Sequence, residues 1–206
     1  MIIAVDGPTA SGKGTIAKAI ATHFGLPYLD TGLLYRAVGY HTLAMGGDPD
    51  NASDALAGCD FADALLDDPD LRSEKAGGLA SRVSAHPEVR MALLERQRAF
   101  ANQPGGAVLD GRDIGTVIAP HADAKLFITA SVTARAERRW LEMTGMEMEI
   151  SRDEIEHDIA LRDARDTQRK DAPLRAARDA LIIDTTSLGR EEAIAAAIAA
   201  VEAAIA

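Results

Sequence analysis

Short apolar runs alternate with longer stretches of helical periodicity along the chain. Residues 2–6 (IIAVD), 28–29 (YL), 107–110 (AVLD), 125–130 (KLFITA) and 181–184 (LIID) are too short for helices. Bounded by turn residues, each predicts a strand. Between them, Ile16, Ile20 and Phe24 recur every four residues, and Gly25 follows as a stop, which predicts a helix over 13–24. A second helix is predicted from Leu33 to Met45, with Thr31 placed to cap it and Gly46-Gly47 ending it. Residues 73–101 read as helical with one break at His86-Pro87. Residues 132–143 read as a basic helix and 151–169 as a highly charged one. Residues 190–206 form a closing helix with Ile194, Ile198, Val201 and Ile205 on one stripe. Five strands separated by helices predict an α/β fold: a five-stranded, doubly wound, mostly parallel sheet with helices on both faces, in three layers. Ligands of such sheets bind beyond the carboxyl ends of the strands.

Composition narrows this picture. At 206 residues the chain suffices for one domain with a sizeable core. Apolar residues make up 47% and aromatic ones 4%, so that core is built from Ala, Leu, Ile and Val. A net charge of −10 argues against a nucleic-acid polymer as partner, which calls for a basic face. It leaves room for a small anion held by local arginines. Cys59 is the single cysteine, which excludes an intrachain disulfide and a cysteine-based zinc site. No stretch has the length of a membrane span, and residues 1–5 are too short for a signal peptide. The expectation is a cytoplasmic protein without a membrane partner. Residues 48–70 hold eight Asp and no Lys or Arg, and read as a solvated loop with short helical pieces. Their spacing does not match a calcium loop.

Three strand ends carry chemistry. After the first comes Gly7-Pro8-Thr9-Ala10-Ser11-Gly12-Lys13-Gly14-Thr15, in which Gly7, Gly12 and Lys13 fit the G-x-x-x-x-G-K pattern of a phosphate-binding loop. Glycines let backbone N–H groups turn toward phosphate oxygens, and the following helix points its positive end at the same anion. After the second strand comes Asp30-Thr31-Gly32, with Arg36 one and a half turns into the helix. After the third comes Asp110-Gly111-Arg112-Asp113. Asp110 there is suited to holding Mg²⁺ through water. Arg112 and Asp113 either serve a ligand or pair with each other at the surface. On the charged helix, Arg162, Asp166 and Arg169 are spaced to share one face, flanked by Arg165; a surface helix laced with ion pairs is the alternative. Arg135, Arg138 and Arg139 form a further basic patch. These arginines exceed what one triphosphate needs. Phosphoryl transfer between two polyanions has that requirement, so the acceptor is expected to be a phosphate such as a nucleoside monophosphate.

The stretches DGPTASGKGT, LDTGLLYR, HPEVRMALLERQRAF, LDGRDIGTVI and LRDARDTQR, in this order over residues 1–184, resemble the bacterial cytidylate kinases, of the P-loop nucleoside monophosphate kinase family. The resemblance implies a P-loop NTPase fold in one domain over 1–206, with an NMP-binding excursion over about 37–100 and a lid over about 143–170, for which Gly145 is a candidate hinge. It implies transfer of the ATP γ-phosphoryl group to CMP or dCMP in pyrimidine nucleotide metabolism, with Mg²⁺, by a protein expected to be a monomer. Residues 7–15 would bind ATP, with Arg138 meeting its phosphates from the lid side. Lys13, Arg36, Arg112 and Arg169 would be catalytic. Arg36, Arg112 and Arg169, helped by Thr31, would hold the acceptor phosphate. Ser81, Arg90 and Asp113 would read the cytosine, and Arg162 and Asp166 the sugar. Mg²⁺ would lie at Thr15 and Asp110, through water. Three features stand apart. The β-rich insertion usual before the Ser81 segment is shortened here to the acidic loop. Thr31 replaces a common serine. As elsewhere in the family, Gly14 follows Lys13, which displaces the P-loop hydroxyl to Thr15. Kinases of UMP, AMP or shikimate are the nearest rivals. A GTPase switch is disfavoured, because neither N-K-x-D nor D-x-x-G occurs.

Overall fold

The computed structural model describes residues 1–144 and 151–206, so the proposed hinge Gly145 lies outside the described residues. The chain divides into two compact units, Met1–Leu29 with Gln103–Ala206, and Asp30–Asn102. In the first, strands β1 (Ile2–Asp6), β2 (Tyr28–Asp30), β3 (Ala107–Gly111), β4 (Ala124–Thr129) and β5 (Leu181–Asp184) form one parallel sheet in the order β2-β3-β1-β4-β5. The last residue of β2, Asp30, opens the second unit. At the carboxyl ends, Val5 lies opposite Asp110 and Asp6 opposite Gly111. The register thus sets the start of the phosphate loop beside the strand end that carries Arg112 and Asp113.

Helices α1 (Lys13–Phe24) and α8 (Arg190–Ile205) pack on each other and on this sheet. Ile3, Val5, Leu126 and Ile128 from the strands meet Ile16 and Ile20 from α1 and Val201 from α8. Each such fully buried aliphatic side chain stabilises the fold by roughly 1.5–3 kcal/mol. The buried line of α8 differs from the expected isoleucine stripe. It is Ala193, Ala197 and Val201; Ile194 and Ile198 are only partly buried at its margin, and Ile205 is exposed. Alanine at the contact lets the helix axis approach closely, which the larger isoleucine at that point would prevent. A smaller cluster of Ala136, Met143, Ile155 and Ile159 joins α6 (Val132–Thr144) to α7 (Arg152–Gln168). Ser151 and Glu154 start α7 with a reciprocal capping box.

The second unit holds α2 (Thr31–Ala44), α3 (Ala52–Ala57), α4 (Glu74–Val83) and α5 (Pro87–Ala101). Asp30, not Thr31, caps α2: its carboxylate accepts the Leu33 N–H at 3.2 Å, and Thr31 is already the first helical residue. An aspartate directly before the first turn also favours the positive end of the helix dipole. Gly39 lets α2 and α4 touch, since a Cβ there would stand 2.7 Å from that of Leu79. The acidic stretch contains α3 and two short 3₁₀ turns, as expected, but two arginines anchor it. Arg82 of α4 pairs with Asp48 and Asp50, and Arg96 of α5 with Asp63.

Candidate active site

The phosphate loop turns sharply because its glycines allow it. A Cβ on Gly7 would fall 2.1 Å from the Ile128 carbonyl oxygen, so β4 closes tightly over the loop. Gly12, at φ 84°, takes the left-handed conformation that starts α1. No side chain caps α1, and its first turn holds no acidic residue. That arrangement suits an anion. Ala10 also adopts a positive φ, of 56°, a strained geometry for a residue with a Cβ. Two long-range contacts hold this loop. Arg135 donates from one terminal nitrogen to the Thr9 carbonyl oxygen, and Thr185 Oγ1 donates to that of Ser11.

Arg112 and Asp113 each engage the α7 region. Arg112 Nε donates to Asp166 Oδ2 at 2.8 Å. Arg169 places a guanidinium nitrogen 3.6 Å from Asp113 Oδ1, both side chains being buried. Arg169 lies just past α7, in a non-helical conformation, rather than on the helical face expected for it. Its Nε donates to the Ala172 carbonyl oxygen. Burial pushes the Asp166 carboxyl upward, but Arg112, Arg169 and Arg162 outweigh this and hold it below the usual carboxylate range. The sequence-named Arg112, Asp113, Arg162, Asp166 and Arg169 therefore form one alternating charge network. This is how three cations stay ordered and half-buried in an acidic protein. A phosphate dianion can take the carboxylates' place on the same guanidinium groups.

Asp110 is 3% exposed, and a Cβ on Gly14 would lie 3.2 Å from its Oδ2. Its carboxylate therefore faces the first turn of α1, where Thr15 also sits. Among the described residues no cluster of three acidic, His or Cys side chains forms a metal cage. One carboxylate beside a phosphate loop fits Mg²⁺, which keeps most of its waters and takes substrate oxygens.

The expected basic patch on α6 is not one patch, because its arginines face different partners. Arg135 is buried and bidentate to Asp163 of α7, at 3.1 and 2.6 Å. Arg138 donates to Oγ1 and the carbonyl oxygen of Thr185, and Arg139 pairs with Glu142. Arg138 also lines a cavity of about 470 Å³ with Ser131, Thr133, Glu137 and residues 186–189.

Sequence reasoning missed Asp6, Arg135 and Thr185 as organisers of this region. Asp6 is buried and accepts the Ile114 and Gly115 N–H groups, each at 2.8 Å. Burial raises its carboxyl to about 7 against those two hydrogen bonds, with Asp113 adding to the rise and Arg112 opposing it. A carboxylate closing an apolar strand was the available signal for Asp6. For Arg135 and Thr185 no local signal exists.

In the second unit, Arg36 donates to the Leu71 carbonyl oxygen at 2.9 Å, and Arg90 lies over the Tyr35 ring at 5.9 Å. Thr31 is buried, and the Ser81 hydroxyl is buried without a hydrogen-bond partner. An orphaned buried hydroxyl marks a place for a polar ligand atom.

Comparison with known proteins identifies the family. The family model described as cytidylate kinase matches residues 3–203. The chain is 56% identical over 200 residues to a protein named cytidylate kinase from Cereibacter sphaeroides strain KD131, covering 97% of this chain and 94% of that one. It is 53% identical over 203 residues to a cytidylate kinase of Xanthobacter autotrophicus, covering 98% of each. In fold alone it is similar to the crystal structure of an uncharacterized protein from Eubacterium ventriosum. That similarity has a TM-score of 0.57 at 16% identity and covers 98% of both chains.

Proposed function

Since the chain belongs to the cytidylate kinase family, we propose that it transfers the γ-phosphoryl group of ATP to CMP or dCMP, giving ADP and CDP or dCDP. The observation that carries this reading is the network of Arg112, Asp113, Arg162, Asp166 and Arg169. It begins at the strand end beside the phosphate loop. Two phosphate-binding elements in one unit suit a reaction with a polyanionic donor and a polyanionic acceptor.

The loop amides and Lys13 take the donor phosphates. Arg112 and Arg169 take the acceptor phosphate, and Arg36 with Thr31 in the second unit are assigned to the same group. Asp113 accepts from the exocyclic amino group of cytosine, while Ser81 and Arg90 donate to its O2 and N3. Uracil presents a carbonyl oxygen in place of the amino group, which the Asp113 carboxylate repels. Arg162 and Asp166 take the sugar. Arg138, in the wall of the cavity beside residues 186–189, is assigned to ATP. Thr15 and Asp110 would hold Mg²⁺, which supplies charge neutralisation to the phosphates.

The reaction needs no strong base. An acceptor phosphate oxygen, already anionic at neutral pH, attacks the γ-phosphorus in line; the bond to the β–γ bridging oxygen breaks, and ADP leaves. Lys13 and the guanidinium groups stabilise charge that spreads over the phosphoryl group in transit. Incubation of the protein with ATP and CMP, with CDP and ADP quantified by chromatography, tests this. Equimolar CDP and ADP are expected; ADP without CDP would overturn the reading. No helix among the described residues is long and apolar enough to cross a membrane.

A further inference from the structure

Asp6 closes β1 and directly precedes Gly7 of the phosphate loop. A buried carboxylate is tolerated where its oxygens are hydrogen-bonded. Here Oδ1 accepts from Ile114 and Oδ2 from Gly115, each at 2.8 Å. Those amides open a π-helical turn, Ile114–Ile118, that follows Asp113. The Asp113 carbonyl oxygen accepts from Val117 at 2.9 Å and Ile118 at 3.2 Å. Asp113 itself, at φ −146° and ψ 25°, is neither strand nor helix. Four hydrogen bonds therefore fix the backbone from the Asp113 carbonyl onward. On the other side, β3 is fixed by its register with β1. Gly115 leaves room for this clamp, since a Cβ there would meet Lys125 Cδ at 3.2 Å and Asp6 Oδ2 at 3.4 Å.

We infer that Asp6 is a positioning residue for acceptor recognition: by clamping the Ile114 and Gly115 amides it aims Arg112 and Asp113 at the acceptor nucleotide. It acts through those two residues and touches no substrate in this account. It does so from the strand that also launches the phosphate loop, so one side chain references the acceptor turn to the donor loop. With asparagine in its place, one of the two buried amides loses its acceptor and faces an NH2 donor, so the segment bearing Arg112 and Asp113 relaxes. A general loss of stability would weaken both substrates alike. Loss of positioning weakens the acceptor selectively. The inference rests on the CMP-kinase reading.

The test compares Asp6→Asn and Gly115→Ala with Val201→Ala, a cavity-forming change in the core formed by α1, α8 and the sheet. KM for CMP, KM for ATP, CMP/UMP preference and thermal midpoint are measured for each. Asp6→Asn is expected to raise KM for CMP about tenfold or more, to reduce the CMP/UMP preference, and to change KM for ATP by less than about threefold. Gly115→Ala keeps the carboxylate but crowds the clamp, so it gives the same split and decides the matter if Asp6→Asn does not fold. Val201→Ala lowers the midpoint with both KM values changed by less than about threefold. An unchanged KM for CMP in the clamp variants, equal rises for both substrates, or the same split in Val201→Ala overturns the inference. Should the wild type prefer another monophosphate, the CMP reading falls separately, and the acceptor-versus-ATP split for that monophosphate still judges Asp6.

Discussion

Arg112 Nε donates to Asp166 Oδ2 across 2.8 Å, joining the end of β3 to the inner face of α7. The pair is partly buried, with side-chain exposures of 22% and 10%. It holds a guanidinium ready for a phosphate while screening its charge. Arg112→Ala is expected to cut turnover on CMP by about a thousandfold. It also leaves Asp166 short of its main partner, at a cost of about 2 kcal/mol in urea denaturation. Near-normal CMP phosphorylation in that variant is incompatible with the assigned role.

Asp113 faces Arg169 at 3.6 Å and is assigned to the cytosine amino group. Asp113→Asn keeps its size but offers N–H groups on one side, which suits a uracil carbonyl. The ratio of kcat/KM for CMP over UMP is expected to fall about tenfold or more. A ratio equal to that of the wild type would remove Asp113 from base reading.

Arg135 is bidentate to Asp163 and also donates to the Thr9 carbonyl oxygen of the phosphate loop. With 4% of its side chain exposed, it cannot lose its partner to water. Asp163→Ala is expected to cost about 3 kcal/mol and to raise KM for ATP more than KM for CMP. Equilibrium unfolding and initial rates check the two halves of this prediction.

Asp6 carries a pH signature. Its carboxyl rises to about 7 in the folded chain from an ordinary value of 3.8, so the folded state binds the extra proton between those pH values. Its contribution to stability is present below about pH 4 and is lost as pH rises through 7, an effect of roughly 4 kcal/mol at most. Asp6→Asn lacks this titration. Its stability relative to wild type is therefore expected to improve as pH is raised from about 4 to 8, read by urea unfolding at each pH. A relative stability that falls over this range contradicts the burial argument.

Most of the sheet and all three chemically loaded strand ends were legible in the sequence. Apolar runs of strand length and the glycines after β1 act locally, so pattern reading finds them. The parts that escaped depend on contacts far apart in the chain. Arg112 meets Asp166 only once α7 lies against the end of β3, Arg135 meets Asp163 only once α6 and α7 have packed, and i, i+4 spacing cannot reveal which face of α7 turns inward. Arg169 was expected on the α7 face, yet the helix ends at Gln168 and the arginine reaches Asp113 from outside it. Thr31 read as a cap because it is a good one; Asp30, one residue earlier, is also good and takes the place. The π-helical turn after Asp113 has no local signature, since a buried carboxylate from another strand supports it.

The central claim, transfer to a cytidine monophosphate, is tested most directly by competition. Limiting ATP is offered with Mg²⁺ and equimolar CMP, dCMP, UMP, AMP and GMP, and the diphosphates formed are separated and counted. The account predicts that CDP and dCDP together exceed UDP, GDP and the ADP derived from AMP by about a hundredfold. A dominant yield of UDP or ADP attributable to AMP, traced by labelled AMP, contradicts it.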